Sequence, residues 1–475
     1  MSRLVWFRSD LRVTDNPALH YACDDQADVQ AVFILCDQYV ESHPIGPRKL
    51  WFIRESLKDL AVNLQKSGIE LSLLRVAKAG DIPAKLMAFC KEMGIKSLYC
   101  NAEYPIDEIE RDRKVKASCE GADIAFRRYH DRCLIPPGML KTGQGSVYRV
   151  FTPFSKAWKE KIKSARLEAY LAPETGRGKK AKDATRAIDQ CFARCDLRPA
   201  PDHWQPGENI AQRKLQEFCD NALLEYDEQR DTPAGPGTSR LSPYLSIGSL
   251  SPKQCYLAAA ARVKGDWEKH SGVNTWINEL IWREFYMHIA QAFPALSRHK
   301  PMQAYTDDFP WRYDKTLFQR WCNGETGIPI VDAAMRQLNN TGWMHNRLRM
   351  VTAMFLCKNL KIDWRWGERY FMEQLIDADF CANNGGWQWS ASTGTDAAPY
   401  FRIMNPVSQS ERHDPDGQFI RRYVSELAEL NNKDVHTGRG AAAYCDPIVD
   451  LNRSRQEAID LFKSLKSNEA TANES

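Results

Sequence analysis

Short apolar runs alternate with amphipathic stretches through the first 130 residues, and that alternation leaves few folds open. "LVWF", "QAVFILC", "IELSLLRV", "SLYCNA" and "DIAFRRYH" read as strands. "RESLKDLAVNLQKSG", "IPAKLMAFCKEMG" and a stretch near 106–120 read as the helices between them. Strands this apolar, separated by helices, predict a parallel, doubly wound sheet. The G-x-G-x-x-G signature of a standard dinucleotide fold does not follow the first strand. From about residue 206 onward helical periodicity dominates. The expected architecture is therefore α/β plus all-α: a sheet domain over 1–130, a connector over 131–205 and a helical domain over 206–475. Within the connector, "ETGRGKKAKDATRA" reads as a Gly/Lys-rich surface segment. The last 45 or so residues turn polar and are expected to fray.

The chain has 475 residues, enough for two or three domains. A net charge of +4 confines any nucleic-acid surface to a local patch. The 14 cysteines include no C-x-x-C pair, and Cys191 and Cys195 come nearest. They read as reduced thiols of a cytosolic protein rather than a disulfide frame or zinc site. The start "MSRLVWFRSDLR" lacks an apolar core, so no signal peptide is expected, and no apolar run approaches the ~20 residues of a membrane span.

Tryptophan is the outlier: of 14, ten lie between Trp267 and Trp389. A Trp-rich helical core and a cofactor pocket with a stacking surface both account for this. In "VNTWINELIWREFYMHIAQAF", Ile277, Leu280, Ile281 and Phe285 form one stripe. Glu279, Trp282, Arg283 and Tyr286 form another at i, i+3, i+4 and i+7. "TGWMHNRLRM" repeats the pattern with Trp343, Asn346, Arg347 and Met350. In "GTSRLSPYLSIGSLSP", Ser242 and Pro243 suit the N-cap and first turn of a helix, an end that attracts phosphate, although an ordinary capped helix reads the same way. Asp377 and Asp379 suit an acid/base pair or arginine partners, with Arg349 as one available cation. No His or Cys at metal spacing accompanies them. Trp311, Trp364 and Trp387 are easily oxidised, yet their spacing alone does not place them in a line.

Taken together, these residues closely resemble the class I cyclobutane pyrimidine dimer photolyases of the photolyase/cryptochrome family. The resemblance runs through "LVWFRSDLRVTDNPAL", "VFTPFSKAW", "EYDEQRD", "GTSRLS", "LIWREFY", "TGWMHNRLRM", "IDWRWGERYF" and "NNGGWQWSASTGTDAAPYFRIMNP". It implies an N-terminal antenna domain, a C-terminal FAD-binding domain and a light-driven carbon–carbon lyase. Reduced, anionic FAD, excited by light, would donate an electron to a pyrimidine dimer flipped out of UV-damaged DNA. The cofactor would carry the hard chemistry, so no protein nucleophile is needed.

Residue roles follow from the same resemblance. Tyr226, Thr238, Ser239, Arg240, Leu241 and Ser242 fall on the phosphate and ribityl cradle. Trp276, Arg283, Arg349, Asp377, Ala378 and Asp379 fall on flavin-lining positions, Arg349 and Asp377 as an ion pair. Asn383 falls where an amide faces the flavin ring. Trp387, Trp364 and Trp311 match the electron-transfer chain. Glu279, Trp282, Arg283, Tyr286, Asn346, Arg347, Met350 and Trp389 match the dimer pocket. Arg230, Arg347, Arg402 and Gln409 match DNA contacts, so binding should weaken with salt.

The (6-4) photolyases carry a histidine pair near Asn346 and Met350, which this chain lacks, and plant cryptochromes usually carry Asp, animal ones Cys, where Asn383 stands. Dimer repair is therefore expected, with a flavin photoreceptor and a nonenzymatic damaged-DNA binder as rivals. For a methenyltetrahydrofolate antenna, His43 and Glu108 match the family pattern, Asp107 replaces an Asn and Arg298 stands near a Lys position. Deazaflavin or no antenna are the alternatives. A cytoplasmic monomer bound to no membrane is the expected state.

Overall fold

The computed structural model describes residues 2–24, 27–174, 184–201 and 203–474. Residues 175–183 of the Gly/Lys-rich segment lie outside the described residues. Contacts divide the chain into two compact units. The first comprises Met1–Asp227, Ser239–Pro294 and Ile376–Asp379; the second comprises Glu228–Thr238, Ala295–Leu375 and Phe380–Ser475.

The first unit is built on five parallel strands in the order β3-β2-β1-β4-β5: β1 Ser2–Phe7, β2 Asp28–Cys36, β3 Leu71–Val76, β4 Ile95–Asn101 and β5 Ala125–Tyr129. Helices Pro47–Lys66, Ile82–Glu92 and Ile106–Gly121 stand between them, where periodicity predicts helices. Leu4, Trp6, Val32, Leu86, Leu98 and Val115 are buried together in the core. The runs are apolar because both faces of such a sheet are covered.

The chain reverses its winding at β1, the place where doubly wound sheets open a crevice at their strand ends. Here that point is filled by the chain's own polar side chains. Asn101 Nδ2 donates to Asp10 Oδ2 at 2.7 Å and to Asn16 Oδ1 at 2.8 Å, and Arg8 Nη1 donates to Asp112 Oδ1 at 2.7 Å. A glycine-rich phosphate loop has no place in this network.

Further along the same unit, helices Phe151–Lys163 and Thr185–Phe192 lie within the segment read as a connector. The helix after "GTSR" spans Ser242–Ile247, with Leu241 as its cap residue and no side-chain cap bond. Ser242 thus occupies the first helical position rather than the cap, and Pro243 follows it. The helix ends at Gly248, whose φ of 72° is left-handed. A Cβ there would stand 2.1 Å from Ser9 O.

The second unit includes helices Pro329–Thr341, Asn346–Met354, Trp364–Gln374 and Phe380–Ala391, the last two carrying Trp364, Trp366, Trp387 and Trp389. The expected fraying of the tail gives way to a helix over Leu451–Glu474. Ser454, Ala458 and Phe462, four residues apart, are all buried on it. A single narrow stripe in a polar sequence is easily overlooked, yet it suffices to dock one helix. Upstream, Tyr444 Oη donates to Asp332 Oδ2 at 2.5 Å. Among the described residues no helix is long and apolar enough to cross a membrane.

Gly248→Ala should destabilise the first unit by about 2–4 kcal/mol, since it adds a left-handed Cβ to a close backbone approach. Urea unfolding followed by circular dichroism measures this, and an unchanged midpoint would show that the contact yields freely.

Candidate active site

The Ser271–Ala292 helix, in the first unit, separates its two faces as its periodicity predicts. Trp276, Ile277, Leu280, Ile281 and Phe285 are buried, while Glu279, Trp282, Arg283 and Tyr286 are only partly covered. Trp282 is already stacked on one side, with Phe151 parallel to it at 3.6 Å between ring centres and 3° between planes. Phe285 and Tyr286 also flank the indole, with ring centres 5.7 and 5.6 Å away. Arg283 is tied to backbone, donating from Nη1 to Arg132 O at 2.5 Å and from Nη2 to Leu245 O at 3.4 Å.

Around the carboxylates of Asp377 and Asp379, Asp379 Oδ2 accepts from Arg132 Nη2 at 2.6 Å. Asp377 and Ala378 are buried, and Ala378 O accepts from Lys49 Nζ. Burial pulls the Lys49 pKa down to about 8, against the pull of Asp379 and Asp377. Lys49 and Arg132 come from the N-terminal third of the chain, and no local pattern marks them for this task.

Tyr226, Phe218 and Trp276 form one aromatic cluster, with ring centres 5.9 and 5.1 Å apart. Ser239 is half-buried, Arg240 and Ser242 are exposed and Leu241 is buried. Arg240 is left-handed at φ 52° and Leu241 right-handed at φ −89°, ψ −6°. Such a succession turns neighbouring backbone N–H groups toward one concavity, a nest suited to phosphate oxygens. Hydroxyls, a nest, buried aromatics and carboxylates beside cations fit a flavin dinucleotide.

His43 gathers the remaining first-unit site residues. Its Nε2 lies 3.2 Å from Asp107 Oδ2 and its Nδ1 3.6 Å from Glu108 Oε1, and Tyr39 stacks on its ring. Burial works against its charge, but the two carboxylates raise its pKa above the ordinary value. Glu108 Oε2 is buried without a hydrogen bond among the described residues.

Within the second unit, Trp311, Trp364 and Trp387 are 7%, 0% and 2% exposed. Arg312 N donates to Lys361 O at 2.7 Å, and Arg312 forms an isolated bridge with Ile362, two residues before Trp364. One turn past Trp364, a Cβ on Gly367 would meet the Trp387 ring at 2.1 Å. Trp387 packs edge-on against Phe371, ring centres 5.0 Å apart.

Asn383, half-buried on the same helix as Trp387, donates from Nδ2 to Glu368 O at 2.9 Å, which leaves its carbonyl oxygen to face elsewhere. Glu368 is missing from the sequence reading. It is 2% exposed and accepts from Asn384 Nδ2 at 2.8 Å, with His299 Nδ1 at 2.9 Å. Arg349 Nε donates to Met344 O at 2.8 Å. Asn346, Arg402 and Thr238 are exposed or half-exposed, as are Met350, Trp389 and Gln409. Arg347 Nη2 bonds Asp231 Oδ2, and Arg230 Nε lies 3.8 Å from Asp231 Oδ1.

The hydroxyl-bearing turn at 238–242 and the buried aromatics beside it suit a protein that holds a nucleotide cofactor. Comparison with known proteins makes the class specific. Residues 3–174 match the family model described as "DNA photolyase", and residues 276–464 match "FAD binding domain of DNA photolyase". The chain is 42% identical to the deoxyribodipyrimidine photo-lyase of Escherichia coli, over 98% of this chain and 99% of that one. Its fold matches a bacterial class III photolyase from Agrobacterium tumefaciens with TM-score 0.86 and 34% identity, covering 98% of each chain. A Synechocystis cryptochrome gives TM-score 0.84 and 28% identity, covering 97% of this chain and 99% of that one. The chain belongs to the DNA photolyase family, and its cofactor is FAD.

Gly367→Ala should displace the Trp387 ring and cost about 1–3 kcal/mol through overpacking. Thermal unfolding and the near-ultraviolet circular dichroism of tryptophan would report it. Unchanged values for both would mean that the ring is not held there.

Proposed function

We propose that this protein is a light-driven lyase that splits cyclobutane pyrimidine dimers in DNA. The observation that carries the reading is the half-open face of the Ser271–Ala292 helix, where Glu279, Trp282 and Tyr286 stand beside a buried core. FAD, when bound in its reduced form, supplies the light-excited electron on which the splitting depends.

The residues of the chain bind and orient. Tyr226, Thr238, Ser239, Arg240, Leu241 and Ser242 hold the diphosphate and ribityl parts. Trp276, Arg283, Arg349, Asp377, Ala378 and Asp379 line the ring, and the Asn383 carbonyl faces it. Arg132 holds Asp379 in place. The partly exposed Trp282 stacks on a flipped base, whose loss from the helix is least costly when it is damaged. Glu279 hydrogen-bonds the base edge, and Asn346, Met350 and Trp389 complete the pocket. Arg230, Arg347 and Arg402 hold phosphates, with Gln409 beside them. Trp387, Trp364 and Trp311 are one-electron donors, and Trp311 is the most exposed of the three.

His43, Asp107 and Glu108 fit a methenyltetrahydrofolate antenna, because Glu108 Oε2 is an acceptor with no bond of its own. The 14 free cysteines suit a reducing cytoplasm, where a monomer would work on nucleoid DNA. The likeness to a cryptochrome favours one second reading, a flavin photoreceptor without repair.

A duplex with one thymine dimer separates the two. Reduced protein should restore intact thymines with multiple turnovers under blue light and none in the dark. Flavin-loaded protein that restores nothing would favour the photoreceptor. Trp282→Ala should weaken dimer binding by roughly 1–3 kcal/mol, read by titration in the dark; an unchanged Kd would remove it from the pocket. Trp311→Phe should slow photoreduction of oxidised protein while repair by chemically reduced protein persists. Equal loss of both would end its role as a donor.

A further inference from the structure

The motif "EYDEQRD" ends in a carboxylate that the mechanism above leaves unused. Asp231 Oδ2 accepts from Arg347 Nη2 at 2.5 Å, and Asp231 Oδ1 lies 3.8 Å from Arg230 Nε. Burial would raise the Asp231 pKa, but Arg347, Arg230 and His413 hold it below the ordinary carboxylate range. Burial and Arg347 in turn lower the His413 pKa. Two guanidiniums thus flank this one carboxylate.

Arg347 is also held from behind. Its backbone N donates to His345 Nδ1 at 3.2 Å, and His345 is 1% exposed, with burial pushing its pKa down to about 4. Arg347 Nε is buried and makes no hydrogen bond among the described residues. The Arg347 and Asp231 side chains remain 20% and 33% exposed, within reach of a DNA backbone.

We propose that Asp231 is a specificity-determining residue that stands in for a DNA phosphate between Arg230 and Arg347. It orients both guanidiniums for the backbone of a flipped-out dimer and offsets the charge with which they would grip intact duplex. The proposal rests on the reading that Arg230 and Arg347 hold phosphates. Phosphate contacts act on any sequence, damaged or not, through release of counterions. A fixed carboxylate weakens that indiscriminate attraction. It also orders two long side chains before DNA arrives, so less entropy is lost on binding. The dimer complex gains from the ordering, whereas intact duplex meets mainly the reduced charge.

The test uses the full-length protein in the dark, titrated with duplexes that carry or lack one thymine dimer, across a series of salt concentrations. In Asp231→Asn the Kd for intact duplex should fall about fivefold at low salt, and the salt slope should steepen by about 0.9. Dimer affinity should rise less, so discrimination shrinks. Asp231→Glu should restore it. Asp231→Ser, which has no amide to hold Arg347, should repeat the gain, and it serves if the Asn variant folds poorly.

A purely structural Asp231 would instead lower affinity for both DNAs when neutralised, and that result overturns the proposal. An unchanged Kd for intact duplex, or an equal gain for both DNAs, overturns it as well. Arg347→Gln tells its failure from that of the underlying reading. Weaker binding there, with no gain in Asp231→Asn, defeats the proposal alone. Unchanged binding in Arg347→Gln defeats the phosphate reading and the proposal with it.

Discussion

The first unit depends on one buried carboxylate. Glu284 is wholly inaccessible on the Ser271–Ala292 helix and accepts hydrogen bonds from Leu134 N at 2.5 Å, Ile135 N at 3.3 Å and Trp158 Nε1 at 2.7 Å. Those donors come from the segment between the sheet and the later helices, so this side chain joins Arg283 and His288 in fastening that segment to the helix bearing Glu279, Trp282 and Arg283. Burial raises its pKa to about 7, against 4.5 normally. Its folded value exceeds the unfolded one. Its contribution to stability is therefore complete below about pH 4.5 and declines as pH rises through about 7. Removing any one donor would leave a buried acceptor short of a partner, which costs more than the bond itself contributes.

The second unit repeats the device at Glu368. Its carboxylate draws His299 and Asn384 together, while its backbone carbonyl orients the Asn383 amide. The His299 hydrogen bond to Glu368 raises the histidine pKa despite partial burial. Gln388 Nε2 extends the network to Asn384 Oδ1 at 3.1 Å and to Lys300 O at 3.2 Å. In each unit a buried acid orders the helix that presents the functional side chains, and in neither does it face a reacting atom. Both are positioning groups, and their value lies in restraint.

Periodicity made much of this legible. Strand and helix spacing revealed the sheet, and the two stripes of "VNTWINELIWREFYMHIAQAF" became a buried face and an open one. Pairings between distant segments were not legible. Nothing local joins Phe151 to Trp282, Arg132 to Asp379, or Asp231 to Arg347, because spacing reports faces of one element and not meetings of two. The tail misled for a different reason: its apolar content is low, but Ser454, Ala458 and Phe462 concentrate what there is on one line. The cap at Ser242 shifted by one residue, within the ordinary uncertainty of helix ends.

A site without a nucleophile places its demands on geometry. Electron transfer needs donors at fixed separation in a medium that reorganises little, and close packing supplies that. Trp387 illustrates it. Gly367 leaves room for the ring, Phe371 meets it edge-on and Trp321 closes another side at 6.1 Å between centres. Packing alone holds the indole in that setting, which suits the donor role proposed for it. The DNA contacts proposed for Arg347 and Arg230 make the opposite demand, since a guanidinium that takes a phosphate must meet a mobile polyanion. Both arginines sit at half-exposed positions, steadied by an ion pair that water and salt can loosen. On that proposal the rigid half and the yielding half differ because an electron would cross packed rings, whereas a phosphate would have to arrive through solvent.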